Sequence, residues 1–155
     1  MENTQAAAAQ GATRDDQLLQ LVSFEIGNEE FGVDILKVQE INRMLQVTRV
    51  PNAPEYIEGV INLRGKVIPV VDLRKKLGLE PRDHDKNTRV IVMELRGRVV
   101  GFVVDAVREV LRIPRSVTEP PPTLAAGERA DFITAVGKLD DRLLTLLDLD
   151  AMMSN

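Results

Sequence analysis

The chain has 155 residues, a formal net charge of -4, 44% hydrophobic and only 3% aromatic residues, and no cysteine. That length suits one ordinary domain or two very small ones, with a core that Val, Ile and Leu must fill. The acidic balance and scarce aromatics argue against a nucleic-acid surface or a basic membrane-binding face, and the lack of cysteine rules out disulfides and thiolate metal sites.

Residues 1–16 have neither the basic start nor the apolar core of a signal peptide and read as a flexible tail. No apolar run approaches the roughly 18 residues of a membrane span, so a cytoplasmic protein without membrane insertion is expected. Residues 17–26 predict a strand, 27–30 a turn, and the strand pattern resumes at Phe31. Residues 35–44 fit either a short helix or a bent strand. Pro51 and Pro54 keep 47–56 extended. Residues 56–73 predict two strands around a turn at Arg64-Gly65, and Pro69 places the second at an edge or a bulge. A short helix over 72–79 is capped by Asp72 and stopped by Gly78. A hairpin over 88–105 turns at Arg96-Gly97, 119–130 is a loop, and a further hairpin over 132–150 turns at Asp140-Asp141. Residues 151–155 are left as a C-terminal tail.

The two halves of residues 17–150 repeat. "YIEGVINLRGKVIPVVDL" from Tyr56 aligns with "FITAVGKLDDRLLTLLDL" from Phe132, 76 residues on. "GVDILKVQEI" from Gly32 aligns with "GFVVDAVREV" from Gly101, 69 residues on. Each unit of roughly 60–70 residues has about five short strands, too few for two thick layers. A small closed barrel buries their apolar faces and protects their edges. The expected fold is therefore mainly β, with two small barrels related by internal duplication, interleaved or side by side, plus short helices.

Sites for catalysis are poorly supplied. The single histidine, His84, stands between Asp83 and Asp85 and reads as a loop tip. No serine lies in a Gly-x-Ser-x-Gly elbow. "GVINLRGK" has one residue too many between its glycines for a phosphate loop and leads into a strand, whereas a phosphate loop leads into a helix. Asp72 after an apolar strand suggests a receiver phosphoacceptor, but the acidic pair Asp15-Asp16 precedes its strand, and Asp72 has a helix-cap role. Asp140-Asp141, Asp148 and Asp150 could serve a small acid-base enzyme, yet turn and cap roles account for them. A proline-binding SH3 module needs an aromatic groove, which five scattered aromatics do not supply.

"FGVDILKVQEI" (31–41), "VTRVPNAPEYIEGVINLRG" (47–65) and "VVGFVVDAVREVL" (99–111), in that order, resemble the CheW family of bacterial chemotaxis coupling proteins, over about residues 17–150. The resemblance implies two five-stranded SH3-like barrels and a non-enzymatic scaffold that needs no cofactor. It implies that the scaffold bridges the cytoplasmic tips of chemoreceptors to the regulatory domain of the histidine kinase CheA, within membrane-associated arrays. With no room for the extra domains of CheA or CheV, the chain would be a stand-alone coupling protein. The positions matching the family's receptor-binding region are Val38, Glu40, Gly59, Asn62, Leu63, Arg64 and Gly65; residues of the kinase-binding face stay unassigned. Val38 and Leu63 also suit a core, the glycines suit backbone geometry, and Asn62 suits local capping. Arg64 and Glu40 need partners between their apolar runs, and a bidentate pair between them is expected.

Overall fold

A computed structural model describes residues 17–121 and 131–153. The tail 1–16 and most of the loop 119–130 lie outside the described residues. Eleven strands occur in chain order among those described: β1 (Leu18–Ile26), β2 (Glu29–Asp34), β3 (Val38–Arg43), β4 (Ile57–Leu63), β5 (Lys66–Asp72), β6 (Arg89–Leu95), β7 (Arg98–Val104), β8 (Ala106–Pro114), β9 (Thr118–Glu119), β10 (Ile133–Leu139) and β11 (Arg142–Leu147). Two short helices follow the closing hairpins, α1 (Leu73–Lys76) and α2 (Leu149–Met153). The ambiguous 35–44 segment is a 3-10 turn at Ile35–Lys37 leading into strand β3.

The strands form two small SH3-like barrels. One has the order β3-β6-β7-β5-β4, and the other β8-β1-β2-β11-β10 with the short β9 added at its edge. Neither barrel is one sequence repeat, because the repeats exchange their first hairpins. The contiguous barrel joins β3, β4 and β5 of the first unit to β6 and β7 of the second. The split barrel joins β1 and β2 to β8, β10 and β11. Connection length explains the exchange. In the split barrel β8 lies antiparallel to β1, and so does β2, which makes β8 parallel to β2 with one strand between them. A parallel crossover takes a dozen or so residues. Only Ile35–Lys37 separate β2 from β3, and only Asp105 separates β7 from β8, so each chain segment must pass to the other barrel.

The exchange preserves register residue by residue. β5 runs parallel to β7 with Val70 opposite Gly101, and β11 runs parallel to β2 with Leu146 opposite Gly32. Val38 pairs with Met93 and Glu40 with Val92 across a bulge; Val107 pairs with Phe24 and Glu109 with Ser23 across the same bulge. The backbone bond from Asp72 to Tyr56 recurs between Asp148 and Phe132, 2.8 Å in both.

The largest buried cluster lies between the barrels and draws on both, including Phe24, Phe31, Ile91, Met93, Phe102, Leu147 and Met152. Smaller clusters fill each barrel: Ile61, Ile68, Val70, Val90, Val92 and Val103 in the contiguous one, Leu21, Ile113, Leu144 and Leu146 in the split one.

Two expectations need correction. Residues 151–153 are no tail: they belong to α2, and Met152 is fully buried against the shared core. Pro69 lies in an interior strand, between β7 and β4. It stands opposite Val60, whose N–H and C=O both turn away to Thr48, so that pair exchanges no ladder bonds and the missing proline N–H costs the β4–β5 ladder nothing.

Candidate functional site

The chain from β3 returns through Thr48, which exchanges two backbone bonds with Val60 of 2.9 and 2.8 Å. This bridge brings β3 and β4, opposite edges of the contiguous barrel, toward each other. The turn between β4 and β5 carries φ of 52° at Arg64 and 87° at Gly65. Both residues are left-handed, the twist a two-residue hairpin needs, and Gly65 adopts it freely. Asn62 accepts a hydrogen bond from the Gly65 N–H at 2.9 Å, which fixes the turn from within.

Held in that turn, Arg64 reaches across the barrel opening to Glu40 on β3. Nη1 donates to Oε1 at 3.2 Å and Nη2 to Oε2, a fork-to-fork contact. The Arg64 side chain is 71% exposed, while Glu40 is mostly covered. The hydrogen bond from Arg64 holds the Glu40 carboxyl below its ordinary value, and the same bond raises Arg64. The expected pair is therefore present, and it closes the barrel at the end where β3 meets the turn.

The other five positions divide by role. Val38 packs at the margin of the shared core, and Leu63 at the margin of the contiguous barrel's own cluster. Gly59 is required by close approach: a Cβ there would stand 2.3 Å from the Thr48 carbonyl oxygen and 2.6 Å from Val47 Cγ1. Asn62 and Gly65 shape the turn. Only Glu40 and Arg64 present charge.

Residues beyond those seven add chemistry to the surface. Four of the exposed large apolar side chains occur at matched places, Ile41 and Val110 on the third strand of each repeat, Val67 and Leu143 just after each closing turn; Leu18, Leu36 and Val50 are exposed without such a counterpart. Val67 is 70% exposed and Leu143 62%. The 69- and 76-residue offsets relate these pairs, so the repeat could have revealed them once the turns were placed. His84 is less isolated than a loop tip: Nε2 lies 3.1 Å from Glu58 Oε2 on β4. Asp72 and Asp148 act as helix caps, accepting from the N–H groups of Arg74 at 2.9 Å and Ala151 at 3.1 Å. Asp150 is buried on α2, where Lys37 donates to it, and that bond raises the Lys37 ammonium above its ordinary value. Among the described residues, no helix is long and apolar enough to cross a membrane.

The profile of the CheW-like domain matches residues 20–155. The chain is 45% identical over 132 residues to the chemotaxis protein CheW of Klebsiella aerogenes, covering 85% of this chain and 80% of that protein. It is 36% identical over 152 residues to the chemotaxis protein CheW of Helicobacter pylori, covering 96% and 91%. The crystal structure of the scaffolding protein TtCheW from Thermoanaerobacter tengcongensis is similar in fold, with a TM-score of 0.82 and 36% identity, covering 90% of this chain and 94% of that one.

Proposed function

The chain belongs to the CheW-like family and is a chemotaxis coupling scaffold, and from that premise we propose that it joins chemoreceptor tips to the regulatory domain of the kinase CheA without catalysing a reaction itself. The receptor hairpin docks beside the Asn62–Gly65 turn, where Arg64 and Glu40 set the geometry and Val38 lends apolar surface. CheA docks on exposed apolar strand positions, of which Val110 and Leu143 lie on the split barrel, away from the receptor site. Held by both partners, the chain moves from the cytoplasm to membrane-associated receptor arrays.

The observation that carries this reading is the matched exposure of Ile41 with Val110 and of Val67 with Leu143. Large apolar side chains left in water at equivalent places on both barrels suit contact faces, with charged rims around them. A binding assay with a receptor cytoplasmic fragment and CheA tests it. Arg64→Ala should weaken receptor binding while sparing the kinase, and the double variant V110E/L143E should do the reverse. Competition between receptor and kinase for one site would sink the coupling mechanism.

A further inference from the structure

The two crossovers between the barrels are held by matching ion-pair latches of reversed polarity. Asp105, which alone separates β7 from β8, accepts from Arg74 of α1 at 2.6 Å and from Arg82 at 3.1 Å. It also accepts from the Gly27 N–H, in the β1–β2 turn of the split barrel, at 2.7 Å. Lys37, the last residue between β2 and β3, donates to Asp150 of α2. Arg96, in the β6–β7 turn of the contiguous barrel, lies 3.9 Å from the same carboxylate. Asp150 follows Arg74 by 76 residues, and Arg96 follows Gly27 by 69. Each latch therefore joins the second residue of a helix, a crossover residue and a turn of the other barrel. The acid is on the crossover in one and on the helix in the other.

The Lys37–Asp150 latch stands directly before the strand of Val38 and Glu40. That strand, β3, is an edge of its sheet, laddered to β6 on one side. The 3-10 turn that feeds it has no fully buried residue, so packing alone holds it loosely. Its side-chain anchors are Asp34, which accepts from the Leu36 N–H at 2.9 Å, and the Lys37–Asp150 pair. The Asp150 side chain is 8% exposed and that of Lys37 44%. The carboxylate is thus a fixed point on α2, and the lysine is the arm that ties the turn to it. A pair with one partner so well covered is screened less by salt and water than a pair on the open surface.

We propose that Lys37 and Asp150 are positioning residues for receptor binding: the pair fixes where β3 begins, and with it the place of Val38 and of the Glu40 carboxylate that Arg64 grips. This rests on the reading that the receptor docks beside the Asn62–Gly65 turn. It adds that α2, which follows the split barrel's closing hairpin, holds a site on the contiguous barrel in shape. Lys37 acts through Asp150, and not by a charge of its own offered to the receptor. The Arg74–Asp105 latch bears on the opposite crossover, before β8, and leaves β3 where it is.

Titration of a receptor cytoplasmic fragment onto variants of the full chain tests the latch. Lys37→Met keeps the stem and removes the ammonium; Asp150→Asn keeps the shape and removes the charge. Each should weaken receptor binding about fivefold, and K37M/D150N should again be about fivefold weaker, because either change alone undoes the latch. Lys37→Arg, which keeps the charge, should recover most of the loss, and CheA binding should stay unchanged in all four. Lys37 is half in water, so Lys37→Met keeps the test decisive if Asp150→Asn folds poorly. Arg74→Met breaks the other latch, whose partners are both largely covered. It should lower the melting temperature at least as much as Lys37→Met does, yet bind receptor as the wild type does. Losses that multiply in the double variant overturn the proposal, since Lys37 would then act by a contact of its own. So does an equal receptor loss in Arg74→Met, which would reduce the effect to a general loosening, or unchanged receptor binding in both single variants. Arg64→Ala is measured alongside: if it alone weakens receptor binding, the latch has failed and the receptor site stands. If it too binds as the wild type does, the reading of that site has failed and the latch with it.

Discussion

The contiguous barrel encloses Ile61, Val92 and Val103; at the equivalent places the split barrel has Gly137, Ser23 and an Asp34 that is exposed and caps the 3-10 turn. Strand register is shared to the residue, yet the interiors differ. The split barrel compensates from the opposite wall: Ile113 is buried, with Cδ1 only 3.4 Å from where a Cβ on Gly137 would stand, whereas its counterpart Met44 is half-buried. Ser23 sends its hydroxyl to the Glu109 carbonyl at 3.2 Å and so is satisfied where Val92 is merely packed. The backbone pairing of a duplicated fold is thus held by the ladder and the shared core, and each barrel's own filling is free to diverge if volume and polar partners are kept. The closing ion pair follows the same rule. Glu40 and Glu109 are equivalent, but Glu40 is met by Arg64 of the turn and Glu109 by Arg142, two residues further along its repeat. The closure calls for a guanidinium, while the turn does not.

The sharpest test of that divergence is Gly59, whose counterpart is Ala135. A methyl group at Gly59 would collide with the backbone of Thr48, which cannot move without breaking the Val60 bridge. Gly59→Ala should cost about 3 kcal/mol or more in chemical denaturation, at the upper end for overpacking. Ala135→Gly, the reciprocal change, should cost about 1 kcal/mol or less. Equal losses at the two sites would mean that the barrels are closed alike after all.

Interior filling comes next. Val92→Ser installs the split barrel's residue in the contiguous barrel, removing apolar contacts and burying a hydroxyl. We expect a loss of roughly 2 kcal/mol in the same measurement. Ser23→Val should lie within about 1 kcal/mol of wild type, since it trades one long hydrogen bond for buried methyl groups. A Ser23→Val loss as large as that of Val92→Ser would show that each interior is fitted to its own residue and is not free to diverge.

Much of this was legible in the sequence, and the gaps have physical causes. Alternation and turn residues locate the hairpins, because Arg64-Gly65, Arg96-Gly97 and Asp140-Asp141 interrupt apolar runs. The repeat offsets give the duplication. The hairpin exchange is missed if each repeat is assumed to close on itself, though the three-residue and one-residue connections already forbid it. α2 is missed because "DLDAMM" is too short to show helical periodicity, yet Asp148 repeats Asp72 and α1 follows Asp72. Pro69 misleads because a proline matters only on the side of the strand where its N–H would have bonded. The Arg64–Glu40 contact joins residues 24 apart, from opposite edges of one sheet. Local pattern cannot supply such a contact; the family resemblance and the need of each charge for a partner suggested it.

The smallest expected effect on stability is at the closing pair of the contiguous barrel, and it sharpens the comparison by separating closure from function. Arg64 is largely in water, where an ion pair adds little to folding, so Arg64→Ala should leave the thermal melt almost unchanged. Its signature is in titration. The hydrogen bond from Arg64 lowers the Glu40 carboxyl below the ordinary glutamate value of 4.5. A carboxyl depressed in the folded state stabilises it above the unfolded value, and that contribution fades as pH falls through the lower folded value. Carboxyl-carbon NMR should therefore find Glu40 titrating later on acidification than an ordinary glutamate in the wild type, and near the ordinary value in Arg64→Ala. Arg64→Lys should restore part of the charge effect but not the two-bond fork, so Glu40 should fall between the two. If receptor binding follows the same order, wild type above Arg64→Lys above Arg64→Ala, with melting unchanged throughout, the pair acts through the geometry it imposes on the turn and Val38. If Arg64→Lys binds receptor as well as wild type does, charge alone suffices and the fork has no part in recognition.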